Sequence, residues 1–184
     1  MNNIGRLRMD ASNVVTEPVT LAQAKEHLRI ETSFTDDDTY ITMLISVARN
    51  VCENYLGFII AKNTALNYYL DKFPSCNEIE LHGVWQPGTV GITYVDSSDN
   101  TVVWNALNYS VDNVSIPARL ILNSGSTYPI TSSNVSSGIN IDLTNAGVSD
   151  SDELPKAIYH AILMMIGHLY ENRQDVVVGG GKPY

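Results

Sequence analysis

From Thr35 to Gly57 the apolar residues recur at helical spacing: Ile41, Leu44, Ile45, Ala48, Val51, Cys52 and Tyr55 share one face. Thr42, Ser46, Arg49 and Glu53 form a polar back to it. The pattern predicts a helix over 35–57, with Thr35 or Asp36 as its cap. Asp36, Asp37 and Asp38 fall in its first turn, where the helix dipole favours negative charge, and Gly57 ends it. A shorter helix over 20–30 precedes it, opened by the capping-box pair Thr20 and Gln23 and burying Leu21, Ala24 and Leu28.

The third helical pattern, over 153–173, differs in kind. Ser151 or Asp152 can cap it, and Pro155 sits in the first turn, where a missing N–H costs nothing. Ile158, Ala161, Ile162, Met165, Ile166 and Leu169 make a wide apolar face, yet Leu163 and Met164 lie opposite, beside a narrow strip of His160, Gly167 and Glu171. A helix apolar nearly all round needs partners on two sides. The expectation is that Ile158, Ile162, Met165 and Leu169 fill the protomer's core. Leu163 and Met164 then face a second copy, and Gly167 permits close approach. The wet side read on the 35–57 helix is the reason for assigning subunit contacts to the last helix instead.

Between 59 and 144 the period changes from helical to alternating. Leu66, Tyr68 and Leu70 alternate up to a Phe73-Pro74 stop. Further strand candidates are 78–81, 90–95, 101–104, 109–111, 119–122 and 139–143, with a turn at Asp96–Asn100 and a polar loop over 124–137. Short strands and frequent turns predict a small antiparallel sheet or barrel-like insertion. The fold class is therefore α+β: a helical core of three main helices with a β-rich antiparallel insertion between the second and the last. The expected organisation is an N-terminal arm over 1–19, one domain over 20–173 and a C-terminal tail over 174–184.

Composition narrows the function. With 184 residues and 44% hydrophobic content, one domain can fold without a disulfide or metal. Cys52 and Cys76 make no disulfide framework, which suits a reducing compartment. The net charge of −9 argues against a protein that grips nucleic acid by its phosphates, though not against a wall past which DNA slides. Arg6 and Arg8 are followed by no apolar core, so the first ten residues do not read as a secretory signal. The longest apolar run, 161–167, is far below the ~20 residues that span a bilayer. Synthesis in the cytoplasm and no membrane partner are expected.

Catalytic chemistry finds no foothold. His27, His82, His160 and His168 have no metal-ligand spacing, and consecutive Asp36, Asp37 and Asp38 diverge by about 100° each on a helix. The glycine run 179–181 has no helix after it to hold a phosphate. No catalytic, cofactor or metal residues are assigned. One rival reading is a small metal-dependent hydrolase using the loop acids Asp96, Asp99 and Asp112. After Arg173 comes a β-prone Val176-Val177-Val178, then the glycines and Tyr184. This tail suggests a strand waiting for a sheet edge.

The order of pieces is also informative. Thr20-Leu21-x-x-x-Lys25-x-x-Leu28-Arg29 leads into the acidic cap and the second helix. Phe73-Pro74, Tyr94-Val95-Asp96, Tyr109-x-Val111, Ala118-Arg119-Leu120 and Tyr128-Pro129 follow in turn. Pro155-x-x-Ile158 opens the helix that closes on His168-Leu169-Tyr170-Glu171-Asn172-Arg173. This order resembles the head–tail connector (head-completion adaptor) family of tailed bacteriophages and prophages. The resemblance implies a non-enzymatic structural protein of the virion neck. Such proteins form a homo-oligomeric ring beneath the portal, extend the DNA exit channel without binding DNA specifically, and present a surface to the next neck or tail-completion protein. A tail-completion or tail-terminator protein is the second reading within the same class. The tail, through Val176, Val177, Val178 and Tyr184, is the candidate for docking the portal.

Overall fold

The computed structural model describes residues 6–8, 14–148 and 154–173. Two short strands, β1 (Arg6–Arg8) and β2 (Val14–Thr16), come first, then helices α1 (Leu21–Leu28) and α2 (Asp38–Leu56). Seven strands follow: β3 (Lys62–Leu70), β4 (Glu78–Glu80), β5 (Thr89–Val95), β6 (Thr101–Trp104), β7 (Tyr109–Asp112), β8 (Arg119–Leu122) and β9 (Ile139–Ala146). Helix α3 (Lys156–Glu171) closes the described chain. The architecture is α+β, with three helices and antiparallel sheets, and the strands from β3 to β9 fall between α2 and α3.

Side-chain alternation sets the register of the larger sheet, whose strand order is β1-β3-β9-β5-β6 with β2 also on β3. Leu66, Tyr68 and Leu70 of β3 lie opposite Leu143, Ile141 and Ile139 of β9, and Ile92 of β5 lies opposite Ile141 from the other side. All seven are buried on one face, so a slip of one residue would turn every one of them to the other. A second sheet, in the order β4-β8-β7, adds Ile79 and Leu120 to the same core. Phe73, Trp104, Tyr109 and Tyr128 seal its rim, with Phe73 and Tyr128 stacked at 4.8 Å between ring centres. The aromatic rings thus pack on one another in the β core.

The sequence reading missed β1 and β2. Both pair with β3, so residues 6–8 and 14–16 of the expected arm are sheet strands, too short at three residues each to show a period. Helix limits agree to within a few residues. Thr20 and Gln23 make the reciprocal capping box on α1, and Gly57, in the left-handed region at φ 75°, ends α2. The expected caps Ser151 and Asp152 lie outside the described residues. At the start of α2, Asp37 holds the cap position but makes no side-chain capping bond there.

A second core sits among the helices: Ile41, Leu44, Ile45 and Ala48 of α2 against Ile162, Leu163 and Ile166 of α3, with Val19 and Ala24. Burying each large aliphatic side chain contributes about 1.5–3 kcal/mol. The chain passes between the two cores twice, at one place. Ile59 points into the β core and Ile60 into the helical core; on the return, Ala146 belongs to the β core and Val148 to the helical one. The two crossings are bridged, with Val148 N–H donating to Ile60 O at 2.8 Å and Ala61 paired in parallel with Val148.

Candidate assembly surface

Three sets of buried or half-buried polar groups hold the helices in place. On the first, the Lys25 ammonium is 2.6 Å from the Asp38 carboxylate and donates to Thr32 O at 3.3 Å. The lysine of the opening motif therefore ties α1 and its following turn to the start of α2. A lysine is rarely buried without such a partner.

The second set lies on the α2 side that the sequence reading gave to solvent. Arg49 and Glu53 are both 6% exposed. The Arg49 guanidinium donates to Glu17 at 2.7 Å and to Glu53 at 2.5 Å, and Ser46 Oγ donates to Glu17 at 2.8 Å. The other oxygen of Glu53 accepts from the backbone N–H of Ile60 and of Ala61, at 2.7 and 3.0 Å. Much of the expected polar back is thus an internal clamp, joining α2 to the segment before α1 and to the crossing point of the two cores.

The third set explains the closing motif. The Tyr170 hydroxyl donates to Asp37, and Arg173 Nη2 donates to the same carboxylate at 3.1 Å. The Arg173 guanidinium lies over the rings of Tyr40 and Tyr170, 4.6 and 4.8 Å from their centres. Tyr40 donates to Leu169 O at 3.4 Å, and Asn172 Nδ2 donates to His168 O at 2.9 Å, capping the last turn. So Leu169-Tyr170-Glu171-Asn172-Arg173 locks the end of α3 onto the start of α2. The Tyr170 hydrogen bond, with Arg173, holds the Asp37 carboxyl below the usual aspartate range. A depressed carboxyl contributes its stabilisation fully above the unfolded value of about 3.9 and loses it as pH falls through the lower folded value. Amide exchange of residues 168–173 should therefore stay slow at pH 5 and quicken only below about pH 4. Asp37→Asn should make that segment exchange quickly at pH 5 while α2 stays protected.

Removing Arg49 and Glu53 from the surface changes what α2 shows to solvent. Met43, Val47, Val51 and Tyr55, at successive i+4 positions, are 51%, 38%, 43% and 90% exposed. Val51 and Tyr55 had been expected inside. On α3 the expectation also changes. Leu163 is 7% exposed and belongs to the protomer's own helical core, not to an outward face. Met164 is 56% exposed, as expected for an outward residue. Ala161, expected inside, is exposed, and with Lys156, His160, His168 and Glu171 it gives α3 a wetter side than its sequence suggested. The approach to Gly167 comes from within the protomer: a methyl there would lie 3.5 Å from the His27 ring. Val176, Val177, Val178 and Tyr184 lie outside the described residues.

The loop acids of the hydrolase reading serve as turn and sheet partners. Asp96 accepts from the N–H groups of Ser98 and Asn100 at 2.8 and 3.0 Å, and Asp99 accepts from Ser132 Oγ at 2.7 Å. Asp112 takes Ser115 Oγ and Arg119 Nη2, both at 2.7 Å, and these bonds hold its carboxyl well below the usual range. Among the described residues, no three His, Cys, Asp or Glu side chains converge as a metal site. No helix among them is long and apolar enough to cross a membrane.

Comparison with known proteins gives this arrangement a context. Residues 18–77, which hold α1, α2 and β3, match the family described as phage gp6-like head-tail connector protein. No curated protein sequence matches the chain. Its fold is similar to that of a chain in the neck of an empty gene transfer agent (GTA) particle computed with C6 symmetry. That likeness has a TM-score of 0.73 at 19% identity, over 95% of this chain and 88% of the other. A chain of the native GTA virion gives 0.71 at 19% identity, over 94% and 88%. One from the neck of the native particle computed with C12 symmetry gives 0.63 at 16%, over 93% and 88%. Over residues 18–77 the chain is thus similar in sequence to the phage gp6-like head-tail connector family, and over nearly its whole length it is similar in fold to chains of GTA particle necks.

Proposed function

We propose that this protein is a structural neck component of a phage-like particle, assembling as a homo-oligomeric ring between portal and tail and extending the DNA exit channel. The observation that carries the reading is the coincidence of the connector-family match over residues 18–77 with a fold shared, over 95% of the chain, with a neck chain. The net charge of −9 supports it, because an acidic wall repels DNA phosphates and lets the duplex pass without adhering. The role calls for no catalysis, and Asp96, Asp99 and Asp112 are engaged in turns and sheet contacts while Asp38 and Glu53 tie the helices. The particle neck is its place of action, after synthesis in the host cytoplasm.

On this reading Met164, outward on α3, contacts a neighbouring subunit, and the tail over 174–184 reaches the portal by adding a strand to one of its sheets. Incubation of the full chain with the cognate portal, followed by sedimentation, tests both levels. The full chain should co-sediment with the portal, and deletion of Gln174–Tyr184 should abolish that binding. Undiminished binding by the truncated chain would end the tail proposal, and no binding by the full chain would end the portal assignment.

A further inference from the structure

We propose that the outward face of α2, centred on Met43, Val47, Val51 and Tyr55, is one half of the subunit contact of the ring, and that its occupant is a second copy of this chain. The inference rests on the ring reading above and deepens it. Its basis is charge as much as hydrophobicity. Helix α2 spans 19 residues and contains three charged ones, Asp38, Arg49 and Glu53. All three are turned to partners inside the protomer: Asp38 to Lys25, and Arg49 and Glu53 to each other and to Glu17. The face that remains carries four exposed apolar side chains with threonines and asparagines between them, and no charge at all.

Such a face is unusual on a chain with 20 acidic and 11 basic residues. Copies that each carry −9 repel one another, and the repulsion reaches about 8–10 Å at ordinary ionic strength. They can come into contact at least cost where charge has been withdrawn from the surface. A basic partner would select an acidic patch instead. Of the other large exposed apolar residues, Val103, Val111 and Met164 each stand on a different element, and Phe34, Leu107, Val114, Ile116 and Ile130 lie in short turns and loops. Those of α2 line up along one regular element over three turns, and contiguity is what distinguishes an interaction surface from scattered exposure. In a rotational ring the contact is heterologous, so this face meets a different surface of the next copy.

The experiment compares the full wild-type chain with a Val47→Glu, Val51→Glu double variant, each alone and on the cognate portal, by native mass spectrometry across a concentration series. The wild type should give a closed ring in at least one of the two settings. The variant should need at least tenfold higher concentration to form it, with an unchanged circular dichroism spectrum. A variant that forms rings at the wild-type concentration overturns the inference and leaves the ring reading standing. A wild type that forms no ring in either setting overturns both. Should the variant misfold, a photo-reactive benzoylphenylalanine at Val47 of the otherwise wild-type ring decides the matter. A ladder of multiples of this chain supports the contact, and crosslinks to no second copy refute it.

Discussion

Replacing Glu53 with alanine should lower folding stability by about 3–5 kcal/mol, the range for removing one partner of a buried ion pair. Two losses combine. The guanidinium of Arg49 stays buried with Glu17 as its remaining carboxylate, and the N–H groups of Ile60 and Ala61 lose their acceptor at the crossing point of the two cores. A buried donor left without an acceptor costs about 1–3 kcal/mol by itself. Urea denaturation should show the midpoint falling with little change in slope. Glu53→Gln is the informative partner variant. It keeps an oxygen for the two amides and gives up the charge, so it should recover part of the loss. If alanine and glutamine prove equally harmful, the charge on Arg49 dominates; if glutamine is harmless, the backbone bonds do.

Gly147→Ala should be comparably damaging, at about 2–5 kcal/mol when the cost of a left-handed backbone is added to that of overpacking. Gly147 has φ +95°, and a methyl on it would lie 2.2 Å from the carbonyl oxygen of Ala61 and 2.9 Å from that of Ile60. Both obstacles are backbone, held in place by the bridge between the two crossings, so neither can swing aside. Gly125→Ala provides the control. Its φ is +82°, and nothing lies within 4 Å of the added methyl, so it should show only the backbone strain, about 1–2 kcal/mol. A thermal unfolding comparison of the two variants separates collision from conformation. Equal losses would mean that the crossing yields more readily than its geometry suggests.

Much of this fold is legible in the sequence because its elements have long periods. The alternation of Leu66, Tyr68 and Leu70 and the turn at Asp96–Asn100 leave few alternatives, and the strands lie where those signals put them. The side of α2 that faces water was misread for a specific reason. Arg49 and Glu53 look like solvent-facing charge until Glu17, 32 residues away from Arg49, is known to sit against them. Spacing along a helix cannot distinguish a polar residue bound for water from one bound for a distant partner. Leu163 was misplaced by the same kind of error: α3 buries a face rotated from the one its strongest apolar residues suggested, with Tyr159 and Tyr170 contributing. The closing Leu169–Arg173 segment stands out in the sequence, but its physical meaning depends on Asp37 and Tyr40, more than 125 residues earlier.

The paired crossings at Ile60 and Val148 also make the β-rich part a graft. Its two ends meet the helical stock at one seam, with Glu53 as the binding and Gly147 as the fitted joint. The loop around Ile130, beside the Asp96–Thr131 bridge at the end of β5 away from the crossings, can lengthen or change its chemistry without altering how α2 and α3 meet. A protein built this way can take a new chemistry on its outlying loops and still close its helices in the same way.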